Sequence, residues 1–163
     1  MESPPITEKL EALYPEPSLH LETGLHNEAY ALADSMVFTA GPDFLVPLVT
    51  DVLREPAGAW FAEDRQKRFG ISLQDLEAKM GGEACRPAVE ELLEKIKTLL
   101  TTHKKDEGPF VLGSTPSYAD FPIAGLFESL VRMHPGRAES ILKYDPSFEK
   151  LHAACKPWLE RDN

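Results

Sequence analysis

Between Phe121 and Val131 the apolar residues Phe121, Ile123, Ala124, Leu126, Phe127, Leu130 and Val131 fall almost all round the helix that their spacing predicts. A helix with one apolar stripe can lie at a surface, whereas one that is apolar on nearly every side has to be wrapped by neighbours. The rest of the chain must supply those neighbours, so the fold expected is all-α, a helical bundle built around this segment. Its start is also marked. In Ser117-Tyr118-Ala119-Asp120 the Ser117 hydroxyl is placed to accept from the amide three residues on, and the Asp120 carboxylate to reach back to the Ser117 amide. Ser117 and Asp120 are therefore expected to cap the helix, a structural role, and such boxes occur at many helix starts.

The surrounding helices are legible in turn. Ser3 to Leu13 predicts a short helix, capped by Ser3, with Pro4 in its first turn and Ile6, Leu10 and Leu13 on one face. Tyr14 to Gly24, with Pro15 and Pro17, reads as a connector that sets residues 1–24 apart from a main body of residues 25–163. Leu25 to Arg54 carries a long helical pattern with Ala29, Leu32 and Met36 inward. Gly41-Pro42 predicts a break or sharp kink in it, and Pro47 a second strained point. Ala57 to Phe69 forms an amphipathic helix ended by Gly70, with Glu63 to Arg68 as a solvated face. Ser72 to Met80 and the segment carrying Leu92, Leu93, Ile96, Leu99 and Leu100 follow, separated by Gly81-Gly82. Lys104 to Pro116 is a loop in which Phe110-Val111-Leu112-Gly113, too short for a sheet, packs as an extended plug. A short helix near Arg137 to Lys143 and a last one from Asp145-Pro146 complete the chain, with Phe148 and Leu151 inward and Pro157 limiting the end.

Composition excludes several classes of function. A chain of 163 residues can bury roughly 70% of its unfolded surface in one core. The formal net charge of -10 opposes the counterion release that drives nucleic-acid binding, so no nucleic acid is expected as a partner. No apolar run approaches the roughly 18 to 20 residues that span a bilayer, and the start Met-Glu-Ser-Pro-Pro lacks the pattern of a signal peptide. No membrane partner and a cytoplasmic location are the expectation. Cys85 and Cys155 stand far apart and read as two reduced structural thiols, and the five scattered histidines lack a metal-ligand spacing, so no metal is predicted.

The passage Gly108-Pro109-Phe110-Val111-Leu112-Gly113 followed by Pro116-Ser117-Tyr118-Ala119-Asp120-Phe121 resembles the entry to the central helix of glutathione transferase C-terminal domains. Trp60-Phe61 through Arg65 to Phe69-Gly70, then Leu73 to Leu76, is similar in order to the corresponding segment of fungal members, including those grouped with ustiloxin-pathway transferases. The resemblance covers nearly the whole chain. It implies that residues 25–163 form the helical domain, and that residues 1–24 correspond to the last helix and connector of the family's thioredoxin-like domain. In the family a Glu/Asp-Ser pair at the start of that helix holds the γ-glutamyl end of glutathione, which carries over to Glu2 and Ser3 alone. The strands, the cis-proline turn and the thiol-activating Tyr, Ser or Cys have no match in this sequence. No cofactor is expected, and glutathione binding at Glu2 and Ser3 stands against a plain reading in which Ser3 caps its helix and Glu2 is a solvated charge.

The resemblance further implies a pocket for a small hydrophobic molecule between the long helix and the central one. Asp34 and Tyr118 are the candidate catalytic groups, and Tyr30, Met36, Phe38, Phe44 and Trp60 the candidate substrate-binding ones, with core packing the alternative for each. Asp34 among apolar neighbours would have a raised pKa and could pass protons, whereas an exposed Asp34 would not. Three functions stay open. One is an enzyme acting on a small hydrophobic molecule in fungal secondary metabolism, by isomerase or cyclase chemistry without glutathione or as a transferase. Another is a binding or assembly module, naturally a homodimer, using the face of Ile6, Leu10 and Leu13. The third is a fragment or alternative start of a longer transferase, suggested by Met1 directly before Glu2-Ser3.

Overall fold

The computed structural model describes residues 3–160, without the side chains of Ser3, Pro4, Phe44, Leu45, Pro47, Thr50 and Asp51. Eight α-helices and no strand are present among the described residues: α1 (Ser3–Leu13), α2 (Leu25–Pro47), α3 (Ala57–Phe69), α4 (Leu73–Met80), α5 (Arg86–Thr102), α6 (Asp120–Met133), α7 (Pro135–Leu142) and α8 (Pro146–Leu159). The protein is all-α. None of its described helices is long and apolar enough to cross a membrane.

The segment that is apolar almost all round is α6, and it occupies the centre. It packs on α2, α7 and α8, while α5 closes the bundle against α2 and α8. Ile123, Phe127, Met36, Ile96, Leu99, Leu100, Phe148 and Leu151 are each less than 2% exposed. Burying one such side chain contributes about 1.5–3 kcal/mol, so this cluster holds the bundle together. The rings of Phe127 and Phe148 meet at 5.1 Å between centroids and join α6 to α8.

Several local expectations need correction. α2 runs through Gly41-Pro42 without a break; the irregularity falls after Pro47, where Leu48–Val52 forms a π turn. Pro42 forfeits a single helical bond, and α2 continues across it, packed on α4, α5 and α6. The Phe110–Gly113 segment is a tight turn, not an extended plug. Phe110 and Gly113 exchange both backbone bonds, at 2.9 and 3.0 Å, and Gly113 sits at φ 101, a region that favours glycine. α8 continues past Pro157 to Leu159.

The cap of α6 is also built differently from the box that the sequence suggests. The Asp120 carboxylate does accept from the Ser117 amide, at 2.7 Å, but the Ser117 hydroxyl donates to that same carboxylate, at 2.9 Å, instead of accepting from an amide. The other carboxylate oxygen accepts from the Val111 amide at 2.7 Å. Asp120, fully buried, is thus an anchor that fastens the 110–113 turn to the start of α6. Burial pushes its pKa up, against the pull of these three donors.

Residues before α2 are tied to the same point. Glu11 accepts from the Ser18 hydroxyl at 2.7 Å and from the Leu19 amide at 3.0 Å, and the Leu19 carbonyl in turn accepts from the Tyr118 amide at 2.8 Å. Ile6, Leu10, Leu13 and Tyr14 remain exposed on this N-terminal segment.

Candidate functional site

A groove of about 730 Å³ opens where α2 and α6 part company toward α3 and α4. α2 contributes Tyr30, Ala33, Asp34, Met36, Val37, Phe38, Gly41 and Pro42, and α6 contributes Pro122, Gly125, Leu126, Ser129, Leu130 and Met133. Arg65 and Phe69 of α3, Leu76 and Met80 of α4, and Leu48 of the π turn complete the described lining. The helical repeat explains the α6 set, since positions 122, 126, 129, 130 and 133 recur at three- and four-residue steps and share a face. Gly125 keeps the groove open there: a Cβ at this position would meet nothing within 4 Å.

The expected site residues divide into several groups. Tyr30 and Met36 line the groove, Met36 also being a core residue at 1% exposure. Phe38 lies on the rim and is 76% exposed. Asp34 lines the groove yet is exposed and has no hydrogen bond or ion pair among the described residues, so the buried, proton-passing carboxylate envisaged for it is not formed. Tyr118 stands behind the lining, its hydroxyl 2.8 Å from that of Tyr30, with the two rings tilted at 5.9 Å. Trp60 is 64% exposed on α3 and does not line the groove. Glu2 and the side chains of Ser3 and Phe44 lie outside the described residues.

Arg65 was not foreseen. Its run Glu63 to Arg68 was expected to be wholly solvated, and Lys67 with Glu63 is so, but the Arg65 side chain turns inward at 27% exposure. Its guanidinium carbon lies 4.5 Å from the centre of the Phe61 ring, and one terminal nitrogen donates to Asp64 at 2.6 Å. Asp64 also receives Arg68 at 2.9 Å. The signal was present in the four-residue spacing of Phe61, Arg65 and Phe69, which places the cation between two aromatic residues on one face.

A second, smaller hollow of about 440 Å³ surrounds Asp43, which the sequence did not mark. Asp43 is 5% exposed; it pairs with Arg137 of α7 and accepts from the Gly82 amide at 2.6 Å and the Cys85 thiol at 3.5 Å. A Cβ on Gly81 would collide with this carboxylate. Burial pushes the Cys85 thiol pKa up, with Asp43 adding to the shift, and burial followed by Asp120 pushes Cys155 up to about 12. Both are free thiols. Among the described residues no three His, Cys, Asp or Glu side chains converge as metal ligands.

The family model for the C-terminal domain of glutathione S-transferase matches residues 25–158. The chain belongs to that family. It is 30% identical to the glutathione S-transferase-like protein ustS of Aspergillus flavus, over 98% of this chain and 61% of that protein, so it spans about three fifths of this relative's length. In fold it resembles two glutathione transferases of Phanerochaete chrysosporium. GSTFuA3 superposes with a TM-score of 0.59 at 20% identity, over 86% of this chain and 62% of its own; GSTFuA2 does so with 0.58 at 21%, over 93% and 65%. The groove is thus a feature of a glutathione transferase C-terminal domain, formed by that family's helices.

Proposed function

We propose that the chain takes a small hydrophobic molecule into the α2–α6 groove and rearranges it, as an isomerase or cyclase, without glutathione. The observation that carries this reading is the groove itself. Its volume falls within the roughly 300–1,000 Å³ of small-molecule sites, its described walls are mostly apolar, and a pair of bonded hydroxyls lies at one part of it. Either tyrosine of the pair can be the donor, so the two hydroxyls together are the candidate proton donor at the groove. A proton-transfer rearrangement needs such a donor and no second substrate. Asp34, exposed at the groove, offers a ligand its charge and not the proton relay that a buried carboxylate would supply. The likeness to a fungal relative supports a place in fungal secondary metabolism.

The test uses heptanol as an apolar probe, followed by calorimetry. Saturable binding is expected, unchanged by glutathione, and lost in Gly125→Trp, which fills open space in the groove, while circular dichroism remains that of the parent. Absence of binding, or binding that survives Gly125→Trp, overturns the reading.

A second reading has its own observation. Ile6, Leu10, Leu13 and Tyr14 are 41, 48, 61 and 70% exposed, an apolar face of the kind that meets a partner. We read residues 1–24 as the counterpart of the thioredoxin-like half's last helix and connector, and a cytoplasmic homodimer through this face as the assembly they would support. Sedimentation of a Leu10→Asp, Leu13→Asp variant as a monomer, against a dimeric parent, is the expected result; a monomeric parent removes it.

A further inference from the structure

We propose that the groove selects a zwitterion of amino-acid type with an apolar side chain, its ammonium met by Asp34 and its carboxylate by Arg65. This rests on the groove's being a small-molecule site and adds what that molecule carries. Asp34 and Arg65 are the charged side chains among the described lining residues, and they come from different helices, α2 and α3. They are not paired with each other. Asp34 has no hydrogen bond or ion pair among the described residues, so its charge is available to a ligand cation.

Arg65 has capacity to spare. A guanidinium carries five N–H donors, and the bond to Asp64 uses one. Asp64 is itself shared between Arg65 and Arg68, so two cations face one carboxylate and a positive excess remains beside the groove. Stacking on Phe61 holds the guanidinium plane in place and reduces the entropy lost when it grips a ligand. Met36, Leu76, Leu126 and Leu130 then offer an apolar seat to the ligand's side chain.

A purely cationic amphiphile would leave the Arg65 excess unanswered, and a purely anionic one would set its charge against Asp34. A molecule bearing both charges on one carbon answers both.

Four probes share a hexyl chain and differ in the head: heptanol, heptylamine, octanoate and α-aminooctanoate. Calorimetric titration at neutral pH is expected to give α-aminooctanoate an affinity about tenfold above heptanol, with the singly charged probes between. Asp34→Asn should bring α-aminooctanoate down to the level of octanoate, and Arg65→Gln down to that of heptylamine, while heptanol changes less than twofold in either variant. Because Arg65 packs on Phe61, Arg65→Lys serves as a second variant: it retains the charge and should keep most of the preference. Half-molar salt should shrink the tenfold margin and leave heptanol unaffected. If heptanol binds as tightly as α-aminooctanoate, or one singly charged probe does, the zwitterion proposal is wrong and the apolar groove stands. If none of the four binds, both fall together.

Discussion

Replacing Asp120 by alanine removes three hydrogen bonds at once, and the structure predicts how the cost divides. Its carboxylate accepts from the amides of Val111 and Ser117, both at 2.7 Å, and from the Ser117 hydroxyl. Asp120 is fully exposed to none of the solvent that could replace those acceptors, being 0% accessible, and Val111 and Ser117 are 0 and 2% accessible. Two backbone amides left unpaired in such surroundings cost about 1–3 kcal/mol each, so Asp120→Ala should lose about 3–6 kcal/mol once the small cavity is included. For a domain of this size that lowers the melting temperature by about 10–20 °C. Asp120→Asn keeps one oxygen and strands at least one donor, at about 1–3 kcal/mol. Ser117→Ala should cost only about 0.5–1.5 kcal/mol, because the Asp120 amide is satisfied by the Ser117 carbonyl at 3.1 Å and does not depend on the hydroxyl. Urea titrations of the three variants measure the series, and hydrogen exchange at the Val111 amide supplies a local readout. That amide should be strongly protected in the parent and should exchange much faster in Asp120→Ala. An equal or larger loss in Ser117→Ala would refute the reasoning, since it would mean that the hydroxyl caps the helix in the ordinary way and that Asp120 is secondary.

Other perturbations test other parts of the structure. Gly81→Ala should cost about 1–3 kcal/mol, since its Cβ would lie 2.7 Å from the Glu77 carbonyl and against Asp43, whereas Gly125→Ala, with nothing near its Cβ in α6, should gain about 0.5–1 kcal/mol; thermal melts in parallel decide both. Ellman's reagent at pH 8 should find neither Cys85 nor Cys155 in the native protein and both after unfolding, because burial holds their pKa values up, that of Cys155 to about 12. Tyr144, whose hydroxyl donates to Glu94 at 2.7 Å, should ionise near pH 12 in a near-ultraviolet titration, and Glu94→Gln should return it toward 10. Its folded pKa exceeds the unfolded one, so whatever this bond contributes is present below about pH 10 and is lost as pH rises through 12.

Features fixed by local periodicity could be read directly. The presence and order of the helices, the centrality of α6 and the Gly70 stop of α3 follow from residues a few positions apart, whereas the ends of α2 and α8 do not. The Ser117–Asp120 box was half legible. The carboxylate's bond to the Ser117 amide is local, but its second oxygen serves Val111, and only the returning 110–113 turn brings that amide within reach. Once Asp120 has two amides to satisfy, the hydroxyl of Ser117 is better used as a third donor to the charge than as an acceptor.

The groove divides along the same line. Tyr30, Asp34, Met36 and Phe38 follow from the family resemblance, which names the long helix as a groove wall, and all four lie on the groove; the local penalty of Pro42 does not end the helix because three neighbouring helices pack against it. Arg65 was read by its charge alone, although its place between Phe61 and Phe69 on a helix gave it an aromatic seat. Asp43 offered no such sign. Its partners lie at positions 82, 85 and 137, brought together by the packing of α2 against the turn before α5 and against α7. A carboxylate buried in this way is stabilised only by partners that the completed bundle delivers, so its role belongs to tertiary structure and no spacing along the chain could have carried it.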